Sequence, residues 1–199
     1  MKNTINQHIK RSFDITLSAL AIIILSPILL IVALAIKLQD GGNVLYTQPR
    51  GGQYGKAFNI YKFRSMKLAK KTNLKHTSVN DERVTTIGKL IRKTSIDELP
   101  QLFNVLLGDM SIVGPRPHMI EHDNMYAAQI KRYNQRFAVK PGITGLAQIR
   151  GFRGNITKVD DMRNRVINDI EYINQCNFMH DIKIMAMTVP AVILGTNAY

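Results

Sequence analysis

The chain contains, at residues 15–36, the uncharged stretch ITLSALAIIILSPILLIVALAI. As a helix these residues would extend roughly 33 Å, about the thickness of the hydrocarbon core of a bilayer. The stretch is long for the apolar region of a secretory signal, and no small-residue cleavage site follows it. It therefore predicts an N-terminal membrane helix.

The Ser26-Pro27 pair at the midpoint of this stretch predicts a bend in the helix. Pro27 has no N–H for the carbonyl of Ile23 and its ring crowds that carbonyl, whereas the Ser26 hydroxyl can satisfy it. Lysine and arginine residues flank both ends of the stretch, although positive charge normally marks the cytoplasmic end alone. Two models are therefore open: a re-entrant helix that bends at Pro27 and returns to the cytoplasmic face, and a kinked single-pass anchor.

The composition indicates one basic domain. The 199 residues include 27 Lys and Arg against 14 Asp and Glu, a formal charge of +13, which favours an anionic partner: nucleic acid, acidic lipid or phosphorylated substrate. Cys176 is the only cysteine, so no intramolecular disulfide can form and a cytosolic setting fits. We expect a single domain over residues 1–199, with a membrane helix in 1–40 and a cytoplasmic part in 41–199.

The cytoplasmic part combines short strands with amphipathic helices. Residues 44–47 and 58–63 predict a β-hairpin, and the polar, basic segment 65–83 predicts an exposed loop. Basic residues surround Ile87, Leu90 and Ile91, so this predicted helix suits an anionic membrane surface.

Three further helices are predicted towards the C-terminus. Ser95 and Glu98 have the spacing of a capping box, which starts a helix that Gly108 ends. A longer helix is predicted over 161–175. The apolar tail at 182–194, which Pro190 interrupts, predicts an interfacial or buried helix.

Asp97 and Glu98 are adjacent carboxylates with two interpretations. Taken alone, they are explained by the helix dipole and the capping box. Cations in segments bounded by glycine, proline or strand ends favour chemistry instead; these are Lys62, Arg64, Arg92 and Arg116. Phosphoryl transfer from a nucleoside diphosphate needs fixed positive groups and usually Mg²⁺, and a carboxylate can serve as metal ligand or nucleophile.

Three other short patterns each have a functional and a simpler structural explanation. The rigid sequence 114–117 presents Arg116 in a fixed direction or forms a stiff surface turn. Residues 141–145 form a glycine-rich turn that can bring N–H groups to a phosphate, a weak signal. Residues 118–122 match the H-x-x-E-H pattern of zinc proteases, but no third ligand is identifiable and a surface helix is favoured.

Several motifs occur in a characteristic order along nearly the whole chain. They are KRSFD at 10–14, the apolar stretch with Ser26-Pro27, YKFRSM at 61–66, SIDELPQLFN at 95–104, GDMSIVGPRP at 108–117 and KPGITG at 140–145. In this combination the chain resembles the bacterial sugar transferase family, the monotopic phosphoglycosyl transferases. Within that family it looks most similar to the polyprenyl-phosphate hexose-1-phosphate transferases.

The resemblance implies an α+β, mainly helical fold. It favours the re-entrant helix, broken at Ser26-Pro27, with a small β-hairpin and several amphipathic helices lying at the membrane interface. It places the protein in the bacterial inner membrane with its catalytic part on the cytoplasmic face. We expect a single sugar transferase domain without the extra spans and domain that large members carry before this core.

The resemblance also implies the reaction. Such enzymes transfer a sugar-1-phosphate from a UDP-sugar to a polyprenyl phosphate, here undecaprenyl phosphate, and release UMP. Asp97 would be the nucleophile, forming a covalent phosphosugar beside Mg²⁺, and Glu98 its essential partner. Substrate binding is expected of Lys62, Arg64, Arg92, Arg116, Thr144, Gln148 and Arg153.

The sugar is less defined by the sequence than the reaction. Segment 140–154 and the last three residues look most similar to the glucose or galactose branch. The family pattern changes at Leu146, where many relatives have Trp, and at Arg150-Gly151, where Asn-Gly is usual. The alternative donor for the same reaction carries an N-acetyl or diacetamido sugar. The distant alternative function is a membrane-anchored basic binding protein without catalysis. Membrane lipid is an expected partner, nucleic acid is not, and a homodimer is a further prediction.

Overall fold

The computed structural model describes residues 2–67, 82–152, 154, 156 and 158–193. These residues form a mainly helical fold, as predicted, with the predicted hairpin and a second small sheet that was not predicted. The helices are α1 Lys2–Asp40, α2 Thr86–Lys93, α3 Gln101–Leu107, α4 Ile120–Ala127, α5 Leu146–Ile149, α6 Val159–Gln175 and α7 Phe178–Ile193. The strands are β1 Leu45–Gly51, β2 Ala57–Phe63, β3 Ser111–Val113 and β4 Gly142–Thr144.

Helix α1 contains the predicted membrane stretch and continues through Pro27. The Ser26 hydroxyl donates a 2.8 Å hydrogen bond to the carbonyl of Ile23, which confirms the predicted partner for that carbonyl. Side chains on either side of Pro27 are exposed, with Ile24 at 72% and Leu30 at 69%. In the part of the chain that the structure describes, α1 is the one helix long and apolar enough to cross a bilayer.

The N-terminal part of α1 is bound to the folded body by three polar side chains of the KRSFD motif. Lys10 forms a 2.6 Å ion pair with Asp181 of α7. Arg11 donates to the carbonyl of Leu106 at 2.8 Å, at the end of α3, where the helix dipole favours a cation. Asp14 is buried and accepts a 3.1 Å hydrogen bond from the backbone N–H of Ile112.

The C-terminal part of α1 contacts the same body. Ile36 is 1% exposed and packs in one apolar cluster with Phe63 and Ile91. The Asp40 carboxylate accepts hydrogen bonds from both terminal nitrogens of Arg64. Both ends of α1 are therefore anchored in the body, whereas its middle is exposed.

Strands β1 and β2 form the predicted antiparallel hairpin, with Tyr46 opposite Lys62. Strand β1 is longer than expected because it extends through Pro49 to Gly51. A proline is tolerated here because a two-stranded sheet has only edge strands. The loop is correspondingly short and contains a 3-10 turn at Gln53–Gly55.

Strands β3 and β4 pair in parallel and involve both glycine-rich segments. The N–H of Gly142 donates to the carbonyl of Pro115 at 2.9 Å, so this one group of the turn is engaged within the protein. A Cβ at Gly142 would lie 2.1 Å from the nitrogen of Gly114. Only glycine permits this close approach of the two backbones.

The helix predictions are largely confirmed, with one error. α6 and α7 occupy the predicted segments, although α7 continues through Pro190. The capping box was wrong: Ser95 has φ 58° and makes no capping bond, and a 3-10 turn at Ile96–Glu98 precedes α3. α3 ends at Gly108, as predicted, with φ 96°. The predicted loop at 65–83 lies mostly outside the described residues.

Candidate active site

Glu98 is the centre of a charged cluster on the turn before α3. It is 6% exposed, yet two cations contact its carboxylate. Lys62 donates to Oε1 at 2.9 Å, and Arg116 donates to Oε1 at 2.6 Å and to Oε2 at 3.1 Å. The bidentate arginine geometry fixes the direction of both side chains. Sequence-predicted residues from three segments therefore meet at one carboxylate.

Lys62 reaches Glu98 because β2 is fastened to α3 by Asn104. The buried side chain of Asn104 donates to the carbonyl of Asn59 at 2.8 Å and accepts the N–H of Tyr61 at 2.9 Å. This amide thus occupies the hydrogen-bonding positions of a neighbouring strand. Asn104 is therefore a positioning residue. The sequence indicated it only as a member of the motif at 95–104.

Arg116 is held by its backbone as well as by its neighbouring prolines. The Nη2 group of Arg136, a residue 4% exposed, donates to the carbonyl of Arg116 at 2.6 Å. The Nε group of Arg136 forms a 2.7 Å ion pair with Asp169 of α6. Arg116 is therefore an anchored ligand of Glu98 and not the solvated residue of a surface turn.

His118 lies in the same buried network. Tyr133 donates its hydroxyl proton to Asp123 at 2.6 Å. Nδ1 of His118 lies 2.9 Å from the Tyr133 oxygen and 2.9 Å from Nη1 of Arg136, and Nε2 lies 3.1 Å from Nη1 of Arg165. Burial and the nearby charges of Arg136 and Arg165 hold the pKa of His118 well below its usual value.

These contacts exclude the zinc-protease interpretation of residues 118–122. His118 precedes the N-cap of α4, so it does not share a helical face with His122. Over residues 2–67, 82–152, 154, 156 and 158–193, no group of three or more His, Cys, Asp or Glu side chains could hold a metal. The network supports Arg116 instead, and no local sequence pattern indicated it.

The two adjacent carboxyls differ in their proton affinity. Burial would raise the pKa of Glu98, but Arg116 and Lys62 outweigh it and lower that pKa well below the usual value. Burial and the charge of Glu98 raise the pKa of Asp97 to about 6. Glu98 is thus a permanent anion, whereas Asp97 is a buried carboxyl on which charge is costly.

The remaining predicted residues divide into three groups. The charge of Arg92 acts on Asp97 and lowers its pKa, together with Lys62 and Arg116. Thr144 and Gln148 line a cavity that also reaches Glu98. Arg64 is placed elsewhere, at the end of α1 on Asp40, and Arg153 lies outside the described residues.

The cavity beside Glu98 has a volume of about 230 Å³. Its walls come from the turn before α3, from β4 and α5, and from α7. The lining residues are Thr94, Ser95, Glu98, Leu99, Leu102, Ile143, Thr144, Gln148, Ile149, Thr188 and Ala191.

The two positions that depart from the family pattern have structural roles here. Leu146 is 5% exposed and packs in a cluster with Val113 and Tyr172. Arg150 forms an ion pair with Glu171 at 2.6 Å and thereby joins α5 to α6. The described contacts therefore account for both residues without a substrate.

Comparison with known proteins identifies the family of this chain. The model of the bacterial sugar transferase family matches residues 5–195. A UDP-glucose:undecaprenyl-phosphate glucose-1-phosphate transferase of Caulobacter vibrioides is 46% identical over 191 residues, covering 96% of this chain and 72% of that protein. A protein of the same description from Escherichia coli is 45% identical, covering 98% and 42%. A galactosyl transferase of Streptococcus agalactiae is 43% identical, covering 95% and 43%.

The long apolar helix and the match to transferases indicate a membrane-associated protein of the transferase class. The family match extends over almost the whole chain, and the chain belongs to the bacterial sugar transferase family. It spans less than half the length of the Escherichia coli and Streptococcus relatives.

Asp97→Asn should stabilise the fold in a pH-dependent way. A carboxyl whose pKa rises from 3.8 to about 6 on folding costs about 3 kcal/mol of stability once it is ionised. The penalty is absent below the unfolded pKa and complete above the folded one. We expect the variant to exceed the wild type by about 1–3 kcal/mol in free energy of unfolding at pH 8, and by roughly half as much at pH 5.

Chemical unfolding of the purified full chain at the two pH values measures this difference. Asp160→Asn is the matched control, because the Asp160 side chain on α6 is 71% exposed and pairs only locally with Arg163. A difference for Asp97→Asn that does not depend on pH would show that charge on Asp97 carries no such cost.

Proposed function

We propose that this protein transfers a hexose-1-phosphate from a UDP-hexose to undecaprenyl phosphate through a covalent intermediate on Asp97. The main support for the proposal is that two adjacent carboxyl groups differ in environment. Asp97 is buried and has a raised pKa, whereas Glu98 is bound by Lys62 and Arg116. The relatives named above act on UDP-glucose and undecaprenyl phosphate by their descriptions. This reaction would be the first membrane step of a surface glycan pathway.

In the first step a carboxylate oxygen of Asp97 attacks the β-phosphorus of the UDP-hexose. The bond between that phosphorus and the bridging oxygen breaks, and the bridging oxygen leaves with UMP. The hexose phosphate is then bound to Asp97 as an acyl phosphate. The attacking group must be an ionised carboxylate, and hydration would weaken it as a nucleophile. Asp97 suits this role because it is buried and largely shielded from water.

In the second step a phosphate oxygen of the lipid attacks the same phosphorus. The acyl phosphate bond breaks, Asp97 regains its carboxylate, and the lipid carries the hexose through a diphosphate. The two steps share one site, so the water-soluble donor and the lipid acceptor need not bind together.

The cations near Asp97 suit the negative charge of the transferring phosphoryl group. Lys62 and Arg116 are fixed in place by Glu98, so they require no reorganisation when the substrate binds. Glu98 would therefore act as a positioning residue that also keeps the local charge balanced. Arg92 adds a third positive charge near Asp97.

Asp97 also fits Mg²⁺. Magnesium is usually bound through one or two carboxylates together with substrate phosphates, and the described residues offer no larger ligand cluster. When bound, the ion would neutralise charge on the diphosphate. A cation near Asp97 would also relieve the unfavourable burial that raises its pKa.

Glucose is the proposed sugar because the glucose-1-phosphate transferases named above are similar over 96–98% of this chain. Galactose is the second candidate, since the Streptococcus relative is described as a galactosyl transferase.

A re-entrant α1 is part of the proposal. Both ends of α1 bind the folded body, through Lys10 at one end and Asp40 at the other, so both ends lie on the side where that body lies. The exposed apolar middle around Pro27 would enter the membrane. We place the catalytic part on the cytoplasmic face of the inner membrane, where the UDP-sugar is available.

Release of UMP tests the reaction. The purified chain in nanodiscs is incubated with each of a panel of UDP-sugars, with undecaprenyl phosphate and Mg²⁺ present or omitted. We expect multiple turnovers with UDP-glucose only when lipid and Mg²⁺ are both present, and none in Asp97→Asn. Transfer of N-acetyl or diacetamido sugars in preference to hexoses would reject the proposed donor, and no UMP from any donor would reject the reaction.

Cysteine labelling tests the topology of α1. Single cysteines at His8 and Asn43, both exposed, are introduced after Cys176→Ser. Native Cys176, in the catalytic part, supplies the reference for that side of the membrane. In sealed spheroplasts and in inverted vesicles, we expect both positions to label from the same side as Cys176. Opposite accessibility of the two positions would establish a single-pass anchor and reject the re-entrant model.

A further inference from the structure

The cavity beside Glu98 is a second feature of the site that the chemistry above leaves unused. Glu98 is the charged residue of its lining, and the surface of the wall is mostly apolar, with Leu99, Leu102, Ile143 and Ile149 among the lining residues. An apolar cavity next to the proposed phosphoryl-transfer centre suits an occupant with both apolar and phosphate parts.

Hydrogen bonds within the protein already engage the hydroxyls of Thr94, Thr144 and Thr188, whereas the buried Oε1 of Gln148 has no partner among the described residues. Thr188 donates to the carbonyl of Ile184 at 2.7 Å, so the hydroxyl of Thr144, 2.7 Å from that of Thr188, donates to Thr188. The amide nitrogen of Gln148 donates to the carbonyl of Ile143 at 2.9 Å. A hexose or uracil in the cavity would need several hydrogen-bond partners from the wall, whereas a hydrocarbon would need none.

The elements around the cavity also present apolar side chains outward. α3 exposes Phe103 at 44% and Leu107 at 67%, and α7 exposes Met187 at 44% and Val189 at 60%. Large apolar side chains exposed on two helices beside the cavity are typical of a membrane-contacting face. A lipid chain that leaves the cavity along α3 or α7 would therefore remain in an apolar environment.

We infer that this cavity binds the phosphate-proximal isoprene units of the acceptor lipid, with the phosphate directed towards Asp97. The inference rests on the proposed function. An apolar cavity of about 150 Å³ holds a six-carbon ring, so a volume of about 230 Å³ accommodates roughly one to two five-carbon isoprene units. The rest of the lipid would lie in the membrane.

Ala191→Phe tests the assignment because it places a bulky ring at the cavity wall on α7. Each half-reaction is measured separately on the full chain in nanodiscs: UMP release in a single turnover without lipid, and transfer of the preformed phosphosugar to undecaprenyl phosphate. We expect kcat/KM for the lipid to fall at least tenfold, with UMP release changed less than twofold. Ala186→Phe, at an exposed position on the same helix, is the matched control and should change neither rate.

Leu99→Ala is a second test variant, which enlarges the cavity and does not fill it. Removal of an apolar wall should raise the KM for undecaprenyl phosphate severalfold while the KM for the UDP-sugar stays the same. A loss in UMP release or a raised donor KM in either variant would show that the donor occupies the cavity and would overturn the inference. Unchanged lipid kinetics in both variants would overturn it as well. Absence of UMP release in the wild type would instead reject the proposed function.

Discussion

The binding of Lys62 and Arg116 to one carboxylate is the interaction on which the site depends. Glu98 is buried, and an unpaired charge there would be strongly unfavourable. Two cations from distant segments satisfy it, and each is supported in turn, Lys62 through Asn104 and Arg116 through Arg136. Asp97 lies next to this compensated charge without being its partner, and burial together with the charge of Glu98 raises its pKa. The proposed function assigns the nucleophile to this carboxylate.

The membrane helix is built into the same arrangement. The KRSFD motif binds the end of α3, the N–H of Ile112 in β3 and Asp181 of α7, while Asp40 binds Arg64 directly after β2. The elements that carry the charged cluster are therefore the elements that hold α1. This coupling gives a physical reason why the membrane motif and the motifs of the charged cluster occur together in one chain.

Local patterns predicted the membrane helix, the hairpin, Gly108 as the end of α3 and the long helix α6, because apolar periodicity and turn residues determine them. The capping box failed since the Glu98 side chain is engaged by cations 36 and 18 positions away in sequence, which no local spacing reveals. Lys62 and Arg64 look alike in sequence, but β2 ends between them, and only Lys62 points to the site. The buried network of His118 and Arg136 had no sequence signal, because its partners come from separate helices.

The most direct test of the account is the identity of the residue that carries the phosphosugar. The full chain is incubated with UDP-glucose and Mg²⁺ without lipid, quenched, digested and mapped by mass spectrometry. The account predicts one added hexose phosphate on Asp97, lost when undecaprenyl phosphate is supplied before the quench. A hexose phosphate on Glu98 or on another residue would contradict it. Release of UMP only when donor and lipid are bound at the same time would also contradict it.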